Sequence, residues 1–276
     1  MCDEKTGSGG AVRDGGRAVG FPGGRDGAGG CVAGWGAGAG TATVAAMSDA
    51  VAAMDGIVVQ TQPSLGSAGA MRALAAGRID LAILGRGMTA EEAKSGALVA
   101  GAIRTPFVFV TSRTAPAAMS LAEIVRAYGD PRAQWGDGSP VILVLRLPTE
   151  GDAIVHERMS VAMAAAVAVA RKRPEVLVSG SDDDNMTVAG ETKGSLTTMS
   201  FSHLMIQGRK LSAISIDGVA PSLAAMMDGS YPFRRSFVLV LPSTPSAAAV
   251  RFVALLRGER GGDALRGVHS VFEGLR

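Results

Sequence analysis

Three segments of this sequence combine glycine with hydroxyl or acidic residues, each between a predicted strand and a predicted helix. They are residues 38–43 (GAGTAT), 63–69 (PSLGSAG) and 148–152 (PTEGD). The N-terminus of a helix carries unpaired backbone N–H groups and about half a positive charge. Glycine lets a ligand approach the backbone, and hydroxyls add hydrogen-bond donors. Several such helix ends, if they converge, would form a binding site for a small anion.

The residues that we expect to contact such an anion come from these segments. They are Gly40, Thr41, Ala42, Thr43, Ser64, Gly66, Ser67, Ala68, Thr149, Glu150, Gly151 and Asp152. A simpler interpretation is also open, because Ser, Thr and Asp before helices usually act only as N-caps. The sequence does not show whether the three helix ends meet.

The third segment carries two acidic residues, Glu150 and Asp152, where an anion site would favour hydroxyls. A carboxylate ~4 Å from a bound dianion would cost several kcal/mol even at an effective dielectric near 20. If Glu150 faces the ligand, a dianion should bind poorly unless Arg146 or Arg86 compensates. Alternatively, both acids occupy the first turn of the next helix, favour its dipole, and face solvent or Arg146. Both interpretations remain open.

Other residue groups that could do chemistry lack the necessary spacing. The acidic run 182–185 (DDDN) lacks the glycine and distal glutamate of a calcium loop, and is typical of a capped helix start. The scattered histidines His156, His203 and His269 have no nucleophile in a recognisable arrangement. Cys2 and Cys31 form no CxxC motif, so zinc is not expected. We therefore predict no catalytic residue, no metal and no cofactor, and a protein that is not an enzyme.

Composition restricts the partner further. The chain has 276 residues, with 27 basic and 25 acidic side chains and only 4% aromatic residues, which does not favour a nucleic-acid partner. The longest apolar run, 161–170, is well short of the ~20 residues that a membrane-spanning helix needs. No apolar core of a signal peptide is visible. Residues 1–30, rich in Gly, Asp and Arg, are predicted to be a disordered leader or a misassigned start that replaces an export signal.

From Cys31 onward, short apolar segments alternate with helical patterns, which predicts helices covering a largely parallel sheet. The predicted strands are 32–35, 57–62, 79–84, 107–111, 141–147, 176–179, 195–200, 211–216 and 237–241. The predicted helices are 43–54, 68–76, 121–128, 153–171, 186–192, 221–227, 245–256 and 263–275.

Seven segments resemble one known family, and the last of them is the most specific because its order and spacing match a hallmark of that family. They are 38–43 (GAGTAT), 64–74 (SLGSAGAMRAL), 77–82 (GRIDLA), 120–125 (SLAEIV), 194–196 (GSL), 214–221 (ISIDGVAP) and 229–239 (GSYPFRRSFVL). From about residue 32 to its end, the chain thus resembles the phosphate-binding proteins of ABC transporters, which have the type 2 periplasmic-binding fold. The resemblance implies an α/β protein of two lobes, with mixed sheets flanked by helices, a hinge, and a ligand cleft between the lobes. It predicts one lobe from residues 31–112 plus 230–276 and the other from 113–229.

The resemblance implies an extracytoplasmic, monomeric binding component that delivers phosphate or a related small oxyanion to ABC permease subunits. In the third segment, Arg146 and Gly151 keep the family pattern, and the resemblance implies that Arg146 contacts the ligand. The departures from the family pattern are Leu84 and Gly85, where a polar pair is usual, and Glu150 and Asp152, where hydroxyls are usual. They favour an alternative, in which a degenerate binding domain with an altered ligand, or none, acts as a sensor or adaptor.

Overall fold

A computed structural model describes residues 13–14, 17–18, 30–61, 65–114, 118–207 and 210–274. The predicted disordered leader, apart from two short strands and Gly30, lies outside these residues, as do Cys2 and Ser64. In the described part of the chain, no helix is long and apolar enough to cross a membrane.

The secondary structure alternates between strands and helices along most of the chain. The strands are β1 (Arg13–Asp14), β2 (Arg17–Ala18), β3 (Cys31–Gly36), β4 (Val58–Thr61), β5 (Leu81–Leu84), β6 (Leu98–Thr111), β7 (Ala118–Met119), β8 (Ile142–Arg146), β9 (Leu177–Ser179), β10 (Ser195–Ser200), β11 (Ser212–Ala213), β12 (Ser215–Ile216), β13 (Arg234–Leu241) and β14 (Val271–Glu273). The helices are α1 (Gly38–Ala46), α2 (Ser48–Asp55), α3 (Gly66–Ala75), α4 (Ala90–Ala93), α5 (Leu121–Gly129), α6 (Gly151–Met159), α7 (Val161–Ala170), α8 (Asp182–Glu191), α9 (Phe201–Gln207), α10 (Leu223–Asp228), α11 (Ala247–Arg257) and α12 (Glu259–Gly267).

The main sheet has the strand order β4-β3-β5-β13-β6-β10-β8-β9, with β11 and β14 also paired to β6. Its two ends are parallel, since β3 runs parallel to β4 and β5, and β8 runs parallel to β9 and β10. The middle is antiparallel, because β13 pairs antiparallel with β5 and β6, and β6 pairs antiparallel with β10. The sheet is therefore mixed and flanked by helices, as the resemblance implied, whereas the largely parallel sheet predicted from the alternation of elements is wrong because β6 and β13 run antiparallel to their neighbours.

The long strand β6 connects the hydrophobic cores. Its first part pairs with β13, and its last part, from Phe107 to Val110, pairs with β10. Two buried clusters draw their residues from 32–103 and 237–265, and the third draws its residues from 108–231. The chain thus crosses from one core region to the other within β6 and returns just before β13.

Several predicted element boundaries are wrong. Helix α1 begins at Gly38 rather than Thr43, so the first glycine-rich segment is itself helical. The predicted helix 153–171 is two helices, because Ser160 adopts an extended conformation and its side chain accepts a hydrogen bond from Met163 N–H to cap α7. The predicted last helix ends at Gly267, where His269 has a positive φ and β14 then pairs with β6. Strand β6 starts at Leu98, and helix α9 was not predicted.

Candidate functional site

The N-terminus of α1 is capped from a distant part of the chain. Its N-cap residue is Ala37, whose methyl side chain cannot accept a hydrogen bond. The amide of Ala39 instead donates to Asp182 Oδ2 at 2.8 Å, across 143 positions of sequence. Asp182 is the first residue of α8, which has its own cap in Ser181. A carboxylate from α8 therefore occupies the anion-binding end of α1.

The three predicted segments meet around Gly85, the residue after β5. Its amide donates to Ser67 Oγ in α3 at 3.0 Å, and its carbonyl accepts from Arg235 Nη1 in β13 at 2.5 Å. A Cβ atom on Gly85 would crowd the Ala37 side chain before α1, and one on Gly151, the first residue of α6, would overlap the Gly85 carbonyl. The ends of α1, α3 and α6 thus converge, which the sequence did not show.

Arg235 and Asp152 form a buried ion pair, which we call the inner pair. Arg235 Nε lies 3.2 Å from Asp152 Oδ1, and Thr198 Oγ1 donates to Asp152 Oδ2 at 3.2 Å. Their side chains are only 7% and 4% exposed. Burial raises the pKa of the Asp152 carboxyl, and the Arg235 guanidinium acts in the opposite direction.

Arg146, Glu150 and Asp182 form a second group, which we call the outer cluster. Arg146 Nη2 lies 3.3 Å from Glu150 Oε2 and 3.3 Å from Asp182 Oδ1, and Nη1 lies 3.5 Å from the Ser179 carbonyl. These contacts are longer than the roughly 2.7–2.9 Å of strong charge-assisted hydrogen bonds. Arg146 Nε has no partner among the described residues, although the side chain is 3% exposed. The buried guanidinium therefore has unused donor capacity.

Glu150 occupies the entrance to this cluster. It is the N-cap residue of α6, but its side chain caps no amide of the helix, and it is 32% exposed. Partial burial raises the pKa of its carboxyl, while Arg146 opposes this shift. Asp182, at 15% exposure, lies deeper.

A buried hydrogen-bond network fixes α8 behind the site. Asn185 Nδ2 donates to the Thr198 carbonyl, and Thr197 Oγ1 donates to Asn185 Oδ1, both at 2.9 Å. On the other side, Thr43 Oγ1 lies 2.9 Å from Ser202 Oγ, which holds α1 against α9. These bonds fix the position from which Asp182 reaches α1.

The sequence left two interpretations of Glu150 and Asp152 open, in which these acids either face the ligand or lie in the first helical turn and face solvent or Arg146. The structure agrees with each only in part. Glu150 contacts Arg146, as the helix-start interpretation expected. Asp152 does lie in the first turn of α6, but it faces neither solvent nor Arg146, because it is buried against Arg235. Arg86 does not compensate for either acid, since it pairs with Glu92, which holds the pKa of Glu92 at about 2.

Two residues predicted from the first segment serve packing in this structure. Gly40 lies against Phe237 and Ile83, where a Cβ atom would clash with both side chains. Thr43 bonds to the Ala39 carbonyl as well as to Ser202. Thr41 is buried with no partner for its hydroxyl among the described residues, and Ala42 is half-buried in the same helix.

The remaining predicted contacts differ in exposure. Ser67 lies at the site through Gly85, whereas Ala68 and Thr149 are exposed. Gly66 starts α3 with a positive φ, which glycine adopts without strain. Whether any of these predicted residues contacts a ligand remains a prediction.

Four residues that build the site were not predicted as contacts: Ala39, Gly85, Asp182 and Arg235. Gly85 stood out only as a departure from the family pattern, and Asp182 only as part of a helix start. Arg235 lay within the family-like segment 229–239. No local signal joins them, because every one of these contacts links residues at least 18 positions apart, and the contact between Ala39 and Asp182 spans 143 positions.

The histidines lie outside this site. His156 packs against Phe107, Phe109 and Tyr128, and its burial, with a smaller effect of Arg171, lowers its pKa to about 3. His203 Nε2 contacts Asp183 Oδ1 at 3.1 Å. In the part of the chain that the structure describes, no group of three or more His, Cys, Asp or Glu side chains is arranged to hold a metal ion.

A separate groove of about 590 Å³ lies between α10, α12 and β14. Arg104, Arg234, Arg257 and Arg266 line it, together with Glu259 and Glu273. Arg104 pairs there with Glu273. None of these residues belongs to the helix ends that meet at Gly85.

This chain belongs to the family of the PBP superfamily domain, whose family model matches residues 28–258. No curated protein matches the sequence. The match to the family model confirms the resemblance to the binding-protein family that the sequence indicated.

Solved structures show the same fold at low sequence identity. A phosphate ABC transporter substrate-binding protein from Clostridium perfringens with bound phosphate superposes with a TM-score of 0.71 at 15% identity, covering 89% of this chain and 100% of that one. The phosphate-bound periplasmic protein PfluDING gives 0.66 at 13% identity, covering 87% and 90%. PEB3 of Campylobacter jejuni with L-phospholactate gives 0.57 at 9% identity, covering 87% and 99%. At these identities the likeness shows the fold alone.

Proposed function

We propose that this chain is the substrate-binding component of an ABC transporter and holds phosphate or a related small oxyanion where α1, α6 and α8 begin. The observation that carries the proposal is the convergence of these helix ends on the buried guanidinium of Arg146. Its Nη2 atom lies 3.3 Å from both Glu150 and Asp182, and Asp182 also accepts the amide of α1. The site already holds one oxyanion, the carboxylate of Asp182.

The donors match the chemistry of a small oxyanion. The α1 end offers backbone amides, Arg146 offers an unpartnered Nε, and Thr41 offers a buried hydroxyl without a partner among the described residues. Amides at a helix end favour negative charge, and a planar guanidinium can bond two oxygens of one anion. These groups recognise charge and oxygen geometry, so binding is the function that they favour.

Ligand exchange requires the site to open, since its groups are buried. We place the hinge in β6 and in the return just before β13, where the chain passes between the core regions. Residues 31–112 with 230–276 would move relative to 113–229. Closure of this kind around a ligand is typical of bilobal binding proteins.

The location and partners follow from the same proposal. The chain acts outside the cytoplasm as a monomer and delivers its ligand to permease subunits. The periplasmic location stated for PfluDING supports this placement.

One observation favours a second function, a sensor or adaptor with altered or no ligand. Three carboxylates, from Glu150, Asp152 and Asp182, surround only two guanidinium groups, from Arg146 and Arg235. The charges at the converging helix ends are thus largely balanced without any ligand. Such a domain would transmit a signal through its surface and not through cargo.

Isothermal titration with phosphate, sulfate, molybdate and tungstate distinguishes these functions. The transport proposal predicts saturable binding of at least one anion by the wild-type chain. Arg146→Gln should weaken that binding about ten- to a hundredfold, since it removes a charge-assisted contact.

Arg86→Gln is the matched control, because Arg86 follows Gly85 directly but pairs with Glu92. Its affinity should stay within about twofold of wild type, as expected for a charge engaged elsewhere. A folded wild-type chain that binds none of the four anions would refute the transport proposal and favour the adaptor.

A further inference from the structure

Asp182 has a position that helix capping alone does not explain. The first turn of α8 is already served by Ser181, whose hydroxyl accepts the Asp184 amide at 3.0 Å. Asp182 directs its carboxylate away from α8, to the Ala39 amide at 2.8 Å and to Arg146 Nη2 at 3.3 Å. One oxygen lies on a helix end and the other on a guanidinium. An oxyanion ligand would use the same pair of donors.

The guanidinium that Asp182 contacts is incompletely satisfied. Arg146 Nε is buried without a partner among the described residues, and the Nη contacts are 3.3–3.5 Å long. A buried donor without an acceptor is costly, and such groups are uncommon in folded proteins. The carboxylate of Asp182 therefore fills the site without saturating it.

We infer that Asp182 is the specificity-determining residue of this cleft and acts as a built-in competitor of the ligand. It holds the anion-binding end of α1 in the absence of ligand, and an oxyanion must displace it. This inference rests on the proposed oxyanion function. Asp182 sets how tightly the chain binds anions, and it discriminates most strongly against those with two negative charges, which its own charge repels.

The test compares Asp182→Ala and Asp182→Asn with the wild type by titration with phosphate and with sulfate. Removing the carboxylate should tighten binding about tenfold or more, since one like charge leaves the site. The anion affinity of Asp182→Asn should lie between those of the wild type and Asp182→Ala. The amide oxygen of asparagine can still accept a hydrogen bond from the Ala39 amide, although the negative charge is gone. Thermal unfolding of each variant verifies that it is folded.

Asp183→Asn is the matched control. It removes the same charge from the next residue of α8, but Asp183 is 76% exposed and contacts His203. Its anion affinity should remain within about twofold of wild type, as expected for a screened surface charge.

Hydrogen exchange at the Ala39 amide reports whether this amide is hydrogen-bonded, independently of any affinity measurement. This amide should exchange faster in Asp182→Ala than in the wild type, and phosphate should restore its protection. Tighter binding by Asp182→Ala together with this restored protection would support the inference.

Two other outcomes would overturn it in distinguishable ways. If the wild type binds phosphate and Asp182→Ala binds no more tightly, the role of Asp182 is refuted while oxyanion binding stands. If neither protein binds any anion although both are folded, the inference and the proposed function fail together, and Asp182 is only a structural cap.

Discussion

The inner pair and the outer cluster contain the same chemical groups but differ in how well those groups are satisfied. In the inner pair, Arg235 bonds Asp152 and the Gly85 carbonyl, and Thr198 completes the carboxylate. In the outer cluster, the contacts of the Arg146 guanidinium are 3.3–3.5 Å long, and its Nε has no partner among the described residues. The inner pair is closed to solvent, whereas Glu150 gives the outer cluster an exposed edge.

This difference in hydrogen bonding indicates that the inner pair stabilises the fold and that the outer cluster binds the ligand. A buried, fully bonded ion pair fixes the position of chains around it, and its loss leaves a buried charge without compensation. A buried guanidinium with unused donors can instead accept an oxyanion when its temporary partners move. We therefore assign the inner pair to the framework and the outer cluster to the ligand.

The largest expected effect is on stability, from the inner pair. Asp152→Ala should lower the free energy of unfolding by about 3–5 kcal/mol, because it leaves Arg235 buried and unpaired. Urea denaturation measures the change. A loss no greater than about 1 kcal/mol, as expected of an exposed ion pair, would contradict the assignment of the inner pair, but not the outer cluster, to the framework.

Gly151→Ala should destabilise the protein by about 1–3 kcal/mol through overpacking. The added methyl would overlap the Gly85 carbonyl and the Arg235 guanidinium, and so disturb the inner pair directly. The same denaturation curves test it, with Ala68→Gly at an exposed position of α3 as a control for helix propensity. Unchanged stability in Gly151→Ala would show that the packing between Gly151, Gly85 and Arg235 has room for the added methyl group.

Acid sensitivity should come from His156 and not from Glu150 or Asp152. The pKa of His156 falls from 6.5 to about 3 on folding, so the unfolded chain takes up the proton first. Stability contributed by neutral His156 is complete above pH 6.5 and declines by about 1.4 kcal/mol per pH unit as the pH falls toward 3. The raised pKa values of Glu150 and Asp152 act oppositely and favour the folded state at low pH.

Denaturation of wild type and His156→Leu between pH 7 and pH 4 measures this contribution. Leucine suits the apolar surroundings of Phe107, Phe109 and Tyr128, so the variant should lose most of the acid-dependent decline. An equally steep decline in the variant would place the acid sensitivity elsewhere, with Glu92, whose pKa Arg86 lowers to about 2, as the next group to examine.

The smallest expected effect is that of Glu150→Gln. Its side chain is 32% exposed and caps no helix amide, so the free energy of unfolding should change by less than about 1 kcal/mol. The comparison with Asp152→Ala is direct, because both acids lie at the start of α6. A loss as large as that of Asp152→Ala would make the outer cluster part of the framework as well.

The sequence predicted the framework of this fold better than its site. Short runs of Val, Ile and Leu located the central strands, and β10 was predicted with its observed bounds. The break at Ser160 and the strand β14 were missed, since apolar periodicity does not reveal where tertiary pairing interrupts a helix.

The candidate site was predicted in part. Arg146, Ser67 and the start of α6 were singled out from local composition, and they do lie where the helix ends converge. Asp182 and Arg235 were missed because their roles depend on partners far away in sequence. The absence of a capping side chain at Ala37 was a usable signal, since an uncapped helix end needs a partner from elsewhere.

Diffraction from crystals soaked in tungstate tests the central claim most directly, because the anomalous signal of tungsten locates the anion without a prior assumption. The account predicts a peak between the Ala39 amide and Arg146, with the Asp182 carboxylate displaced from its present position. A peak only in the groove of Arg104 and Arg234, with Asp182 still bound to Ala39, would contradict it.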